Sequence, residues 1–489
     1  MKNMIFKLLA FSMFWVSSCT SGFDELNLDP NRPTKVFPGV MLDQLQYRLV
    51  NSSIGRARGF SHELMQVSAP RMSINNGIHR YFIEPNNSAG FWDNHYALMT
   101  DAEDIYRVAE GLDAKAYMGI ALTLKSWSYS LLTDAFGDVP YREANKVETG
   151  ILKPSFDPQR EIYVDLLKNL ELANELLSQS NTFVYGGDLI YETNGPNGIL
   201  KWRKFTNSLR LRMLLRIFSK DGDINVSQQI SAILSNSTKY PLMESIADNA
   251  ILRYPGSFPF FNPYYNARTL DWREGTYYSE YFIDWLNRNN DPRKTVWATT
   301  VLENGEKVYK GIQSGYPSNV EYTVNSHSSY RDELKILPEL GIIMTYAELE
   351  FIKAELALRG FSTGANIEEH YGRGIAASMQ QWKVALPSDY IDQGEIRING
   401  EDAFDQKLEK IIQQKYFAYY FNDFQAWFEK RRTGFPVLPR GAGVPVENQF
   451  PSRITYPNYL QALNPENLQA AVARMGGDTQ DTKVWWEKK

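Results

Sequence analysis

Seven stretches of this chain place apolar residues at i, i+3, i+4 and i+7, the spacing that puts them on one face of a helix. They are 93–110, 116–136, 159–178, 200–219, 342–358, 366–382 and 405–429. Tyr96, Met99, Ile105 and Val108 mark the first, and Ile120, Leu124, Trp127 and Leu131 the second. Ile162, Leu166, Leu170 and Leu177 mark the third, and Trp202, Phe205, Leu209 and Leu215 the fourth. A chain so patterned folds as a mainly α body whose helices pack on one another. Helical pattern begins at about Leu42.

Some of these stretches read as helical hairpins. Ala347, Phe351, Ala354 and Leu358 form a stripe, Arg359-Gly360 breaks it, and Ile367, Tyr371 and Ile375 resume it. Small alanines opposite bulky aromatics let two helices approach closely. Such a unit resembles a tetratricopeptide pair, whose period is about 34 residues, and 93–136 has the same character. No strict consensus recurs, so the pairs are degenerate. The helical scaffold is expected mainly over 90–220 and 340–430. Residues 221–340 are loop-rich, with Tyr254-Pro255-Gly256-Ser257-Phe258-Pro259-Phe260-Phe261-Asn262-Pro263-Tyr264-Tyr265 as the densest run. Proline lacks the amide donor and restricts its predecessor, so this run cannot be regular helix.

The first eighteen residues read as an export signal. Lys2 and Lys7 precede a short apolar run, Leu8 to Val16, and the small residues Ser17 and Ser18 lead to Cys19. Val16-Ser17-Ser18-Cys19 resembles a lipobox, in which the thiol takes a lipid and cleavage leaves Cys19 first. Cys19 is the only cysteine among 489 residues, so the fold has no intrachain disulfide. Residues 19–36 read as a lipid-anchored tether and 37–489 as the body. Beyond the signal no run is long and apolar enough to span a membrane as a helix.

Removal of the signal takes Lys+Arg from 52 to 50 (Lys2 and Lys7) against 57 acidic residues, so net charge moves from −5 to −7. That balance argues against a nucleic-acid partner. His62, His79, His95, His327 and His370 form no His-Glu-x-x-His pattern, and no cysteine remains to complete a zinc site. Neither a Gly-x-Ser-x-Gly elbow nor a Walker loop occurs. No catalytic residue, metal or cofactor is assigned. A carboxylate pair for glycoside hydrolysis is not legible in sequence, which keeps a lipid-anchored hydrolase as an alternative class.

Asp134-Ala135-Phe136-Gly137-Asp138-Val139-Pro140-Tyr141 resembles the hallmark of the SusD/RagB nutrient-binding outer-membrane lipoproteins. Lys201–Arg212, Asp291-Pro292-Arg293, Tyr309–Ile312, Met344–Glu355, Gln413–Trp427 with Arg431–Gly434, and Arg453–Pro457 with Asn464 and Asn467 resemble further strings of that family, in its order. The resemblance implies a SusD-like fold: degenerate tetratricopeptide helix pairs as scaffold, loop-rich segments as ligand-binding face. It implies a surface-exposed lipoprotein, not an enzyme, that binds an oligosaccharide and delivers it to a SusC-like TonB-dependent transporter. A peptide ligand, as for RagB-type members, is the alternative within the family. An assembly scaffold without a small ligand is a third reading.

The family strings do not mark the ligand site, so candidates come from loops that interleave aromatics with hydrogen-bonding groups. Loop 71–84 offers Asn75, Asn76, Arg80 and Tyr81. Loop 254–281 offers Tyr264, Tyr265, Asp271, Trp272 and Tyr277. Trp272 leads, because Asp271 and Arg273 flank its indole.

Overall fold

Thr345 marks where the late helical stretch starts: its hydroxyl accepts the Glu348 N–H at 3.2 Å, an N-cap. The apolar run before it, Gly341–Met344, is a fully buried strand rather than helix. The expected helix over 342–358 is therefore shortened to Tyr346–Leu358. A short apolar run fits either state, and pairing with Ala250–Leu252 decides it.

The computed structural model describes residues 36–72, 76–85, 87–180, 182–191 and 196–488. Cys19, the export signal and nearly all of the tether lie outside them. The longer helices are α1 Pro38–Arg56, α2 Asn87–Gly111, α3 Lys115–Phe136, α4 Gln159–Ser178, α5 Pro196–Arg216 and α6 Val226–Ser235. They continue as α7 Glu280–Arg288, α8 Tyr346–Leu358, α9 Ile367–Gln381, α10 Phe404–Ala418, α11 Gln425–Thr433 and α12 Pro465–Met475. The strands are β1 Ser68–Pro70, β2 Val139–Pro140, β3 Phe156–Asp157, β4 Ala250–Leu252, β5 Thr276–Tyr278, β6 Val301–Glu303, β7 Glu306–Val308 and β8 Gly341–Met344. They pair antiparallel as β1–β5, β2–β3, β4–β8 and β6–β7. The body is mainly helical.

Helices adjacent in sequence pack on one another: α1 on α2, α2 on α3, α3 on α4, α4 on α5, and α8 on α9. Close approach needs small residues. A Cβ on Gly119 of α3 would lie 2.7 Å from Leu177 Cγ of α4, and one on Gly374 of α9 2.7 Å from the Phe351 ring of α8. Asn366 closes the α9 N-terminus with Glu369: its carboxamide accepts the Glu369 N–H at 2.8 Å, and Glu369 accepts the Asn366 N–H at 3.2 Å. The stripe at 405–429 is two helices, not one. Phe421, at φ 63°, breaks it between α10 and α11.

Buried ion pairs join the two helical regions. Arg212 of α5 grips Glu348 of α8 through two 2.6 Å bonds. Arg432 of α11 grips Glu355 of α8 at 2.6 and 2.6 Å and also reaches Glu429 at 2.7 Å, while Lys415 of α10 donates to Glu429 at 2.8 Å. Asp134 at the end of α3 accepts from Tyr163 at 2.7 Å and Trp486 at 2.8 Å. Gly137 ends α3 at φ 88°, and a Cβ there would lie 2.5 Å from Met475 Sδ. The family-like strings thus supply the internal joints of the scaffold.

Candidate functional site

Pairing of β1 with β5 joins the chain just before loop 71–84 to the end of 254–281, with Ser68 opposite Tyr278 and Pro70 opposite Thr276. From that seam the segment 254–275 returns across α1. Buried side chains fix it from below. Tyr254 donates to Asn51 Oδ1 at 2.7 Å, Tyr264 to the Ile54 carbonyl at 2.8 Å, and Tyr47 to the Phe261 carbonyl at 2.9 Å. Asn262 donates to the carbonyls of Leu334 and Leu337, each at 3.3 Å, and accepts the Tyr264 N–H at 3.0 Å. A loop held by its polar atoms leaves its other side chains free to face outward.

Trp272 is one of the anchors. It is fully buried in a π turn, Leu270–Glu274, and its indole N–H donates to the Arg331 carbonyl at 3.1 Å. Tyr264 and Tyr330 pack on it at 4.9 and 5.3 Å, and the Arg58 guanidinium lies 4.7 Å from its centroid. Arg58 also donates to the carbonyls of Asp271 at 2.8 Å and Trp272 at 3.1 Å. The expectation that Trp272 offers a face to a ligand is therefore corrected. Burying an indole gains more than its two charged neighbours suggest, and the turn leaves Asp271 exposed and Arg273 half-buried.

Tyr277 is corrected in the same way. It is buried, donates to the Thr323 carbonyl at 2.9 Å and accepts the Asn325 N–H at 2.8 Å, so it pins the 323–325 turn. Arg80 is buried with Nε on the Gly443 carbonyl at 2.7 Å, and Tyr81 is buried edge-on to Phe450 at 5.4 Å. Tyr264, half-buried, is an anchor. Asn76 is exposed in a turn, and Asn75 lies outside the described residues.

Tyr265 and Asp271 remain on the surface. Tyr265 is 43% exposed, and its ring lies 4.7 Å from that of Phe261 at 31°. Phe258, on the same loop, is 88% exposed. Phe260 meets Tyr47 edge-on at 5.1 Å. Asp271 is held by the Arg268 fork at 2.7 and 3.1 Å, and that pair, with Asn266, adds hydrogen-bonding groups to the loop. Arg268 holds the Asp271 carboxyl below its usual range. The result is an aromatic platform on one loop: Phe258 and Tyr265 are exposed, Phe261 is half-buried beside Tyr265, and charged and amide groups lie on the same segment. Rings of this kind stack on the apolar faces of sugars, and the polar groups suit hydroxyls. Phe258 and Phe261 were the signal to read: three prolines, Pro255, Pro259 and Pro263, keep the run irregular.

Behind the platform, His62 stacks on Tyr330 and Tyr420 at 5.9 and 5.1 Å. Burial, and then the charge of Arg58, push its imidazole down to about 3. Among the described residues no three His, Asp or Glu side chains converge as metal ligands would.

The family model described as starch-binding and associating with the outer membrane, SusD-like, matches residues 30–457. A SusD homologue of Bacteroides fragilis shares the fold at TM-score 0.80 and 25% identity, over 93% of this chain and 100% of that one. A chitin-binding protein does so at 0.78 and 26%, over 92% and 100%. A chitin-binding SusD homologue from Flavobacterium johnsoniae superposes at 0.77 and 22% identity, over 91% and 98%. A comparison with curated proteins finds no match. With most of its length matched by the family model, the chain belongs to the SusD-like family of nutrient-binding, outer-membrane-associated proteins.

Proposed function

We propose that this chain is a surface-exposed outer-membrane lipoprotein, anchored through Cys19, that captures an oligosaccharide on the 254–275 platform. It passes the glycan intact to a SusC-like TonB-dependent transporter. The observation that carries the reading is a loop that exposes Phe258 and Tyr265, the latter packed on half-buried Phe261, together with Arg268 and Asp271, while Tyr254, Asn262, Tyr264 and Trp272 anchor it from within. The starch-binding description of the family and the chitin-binding relatives support a glycan ligand. No helix among the described residues is long and apolar enough to cross a membrane, which is compatible with a lipid anchor. In this reading the helix pairs are degenerate tetratricopeptide units that grip the transporter, and residues 19–36 are the leash.

Two measurements test it. Protein incubated with insoluble starch and with chitin should sediment with at least one of them and release no soluble sugar. Affinity capture from detergent-solubilised outer membranes should recover a TonB-dependent barrel. Release of reducing ends, or capture without any barrel, would sink the proposal.

A further inference from the structure

Ile54 and Arg58 lie on the face of the α1 turn that holds the platform loop. Gly55 and Arg56, at the end of α1, and Gly59, in the π turn Ala57–Ser61 that follows, line a separate space. There they border a cleft of about 170 Å³, with Phe91, Phe424 and Ile454 as its buried floor. Gly55 and Gly59 are exposed, and a Cβ on either would meet nothing within 4 Å, so the absence of side chains keeps the cleft open.

Arg56 reaches into this space without a counter-ion. Arg212, Arg293 and Arg432 each grip a carboxylate. Arg56 pairs with no carboxylate among the described residues. Its guanidinium carbon lies 5.5 Å from the Phe91 centroid, and burial lowers its pKa with no acid to offset the effect. His95, packed on Phe91 at 4.3 Å, is buried with Nε2 unpartnered. No Arg56 nitrogen is buried without a partner, so the guanidinium stays open to solvent and to an incoming anion.

We infer that the Arg56 cleft is a second binding site, which takes the carboxylate of a single acidic sugar ring. A planar guanidinium matches a carboxylate with two parallel bonds. The same fork can pair with phosphate, so the two anions are separated by titration. Phe91, Phe424 and Ile454 are almost wholly covered, so they bound the cleft rather than stack on a sugar, and the volume equals about five or six waters, room for one ring and not for a chain. The site stands apart from the glycan platform and does not depend on it.

Calorimetric titration of the purified protein with D-glucuronate, D-glucose and inorganic phosphate tests the assignment. Glucuronate should bind at least about tenfold tighter than glucose. Arg56→Gln should remove that preference. Gly59→Leu, which fills open space, should block the cleft while the melting temperature holds. Tyr265→Ala should leave glucuronate binding unchanged, which separates this site from the platform. Equal affinity for glucose and glucuronate on the unmodified protein would overturn the inference, as would phosphate binding as tightly as glucuronate. Glucuronate binding that survives both Arg56→Gln and Gly59→Leu would overturn it too.

Discussion

His62 Nδ1 lies 2.8 Å from Tyr330 Oη, and its Nε2 accepts the Phe421 N–H at 3.2 Å. Nε2 is therefore the acceptor nitrogen and Nδ1 carries the proton it donates to Tyr330. Tyr330 in turn donates to Ser68 Oγ at 2.9 Å, at the start of β1. One imidazole in one tautomer joins the α10–α11 break to the β1–β5 seam under the platform.

That tautomer has a pH signature. The folded imidazole sits at about 3, below the ordinary 6.5. Between those values the unfolded chain binds the proton and the folded one does not, so this contribution to stability is full above pH 6.5 and falls as pH drops toward 3. Ring-nitrogen NMR of His62 should show a neutral Nδ1–H tautomer down to pH 4. An inflection near 6.5 would contradict the placement.

The Arg432–Glu355–Glu429 cluster should behave as a buried ion network. Arg432→Gln leaves two buried carboxylates short of a partner, and we expect a loss of about 3–5 kcal/mol in chemical denaturation. Arg432 first and Lys415 next hold Glu429 well below its usual range despite burial. Its contribution is present above the unfolded pKa and lost as pH falls through the lower folded one. A loss under 1 kcal/mol for Arg432→Gln would show the cluster to be solvated.

Trp272 and Phe258 should separate stability from binding. Trp272→Ala empties a fully buried site and should cost about 3–5 kcal/mol. Phe258→Ala removes an exposed ring and should change stability by less than about 0.5 kcal/mol. Thermal unfolding of the two variants in parallel checks both values.

Cys19→Ala should release the protein from the outer membrane while glycan affinity stays as in the native protein. Fractionation of cells expressing the variant reads this. Retention in the membrane fraction would contradict the lipid anchor.

Much of the helical scaffold was legible because its signals are local and periodic. Leu124, Trp127 and Leu131 fall where a 3.6-residue repeat puts them, and all are buried. The strand Gly341–Met344 was not, since four apolar residues fit either state and the partner β4 lies about ninety residues away. The site was half legible. The loop that exposes aromatic rings is one of the two picked from composition, but which of its rings turn outward depends on distant partners. Trp272 goes in because Tyr330, Arg331 and Arg58 wait for it, and Tyr265 stays out because Tyr264 takes the contact with Ile54.

In the proposed function the 254–275 platform is where glycan is held. Titration of starch and chitin oligosaccharides into the native protein and a Phe258→Ala/Tyr265→Ala variant tests it most directly. We predict binding of at least one series to the native protein, a drop of about tenfold or more in the variant with unchanged melting temperature, and oligosaccharide recovered at its original length. Equal affinity in the two proteins, or shortened product, would contradict the account.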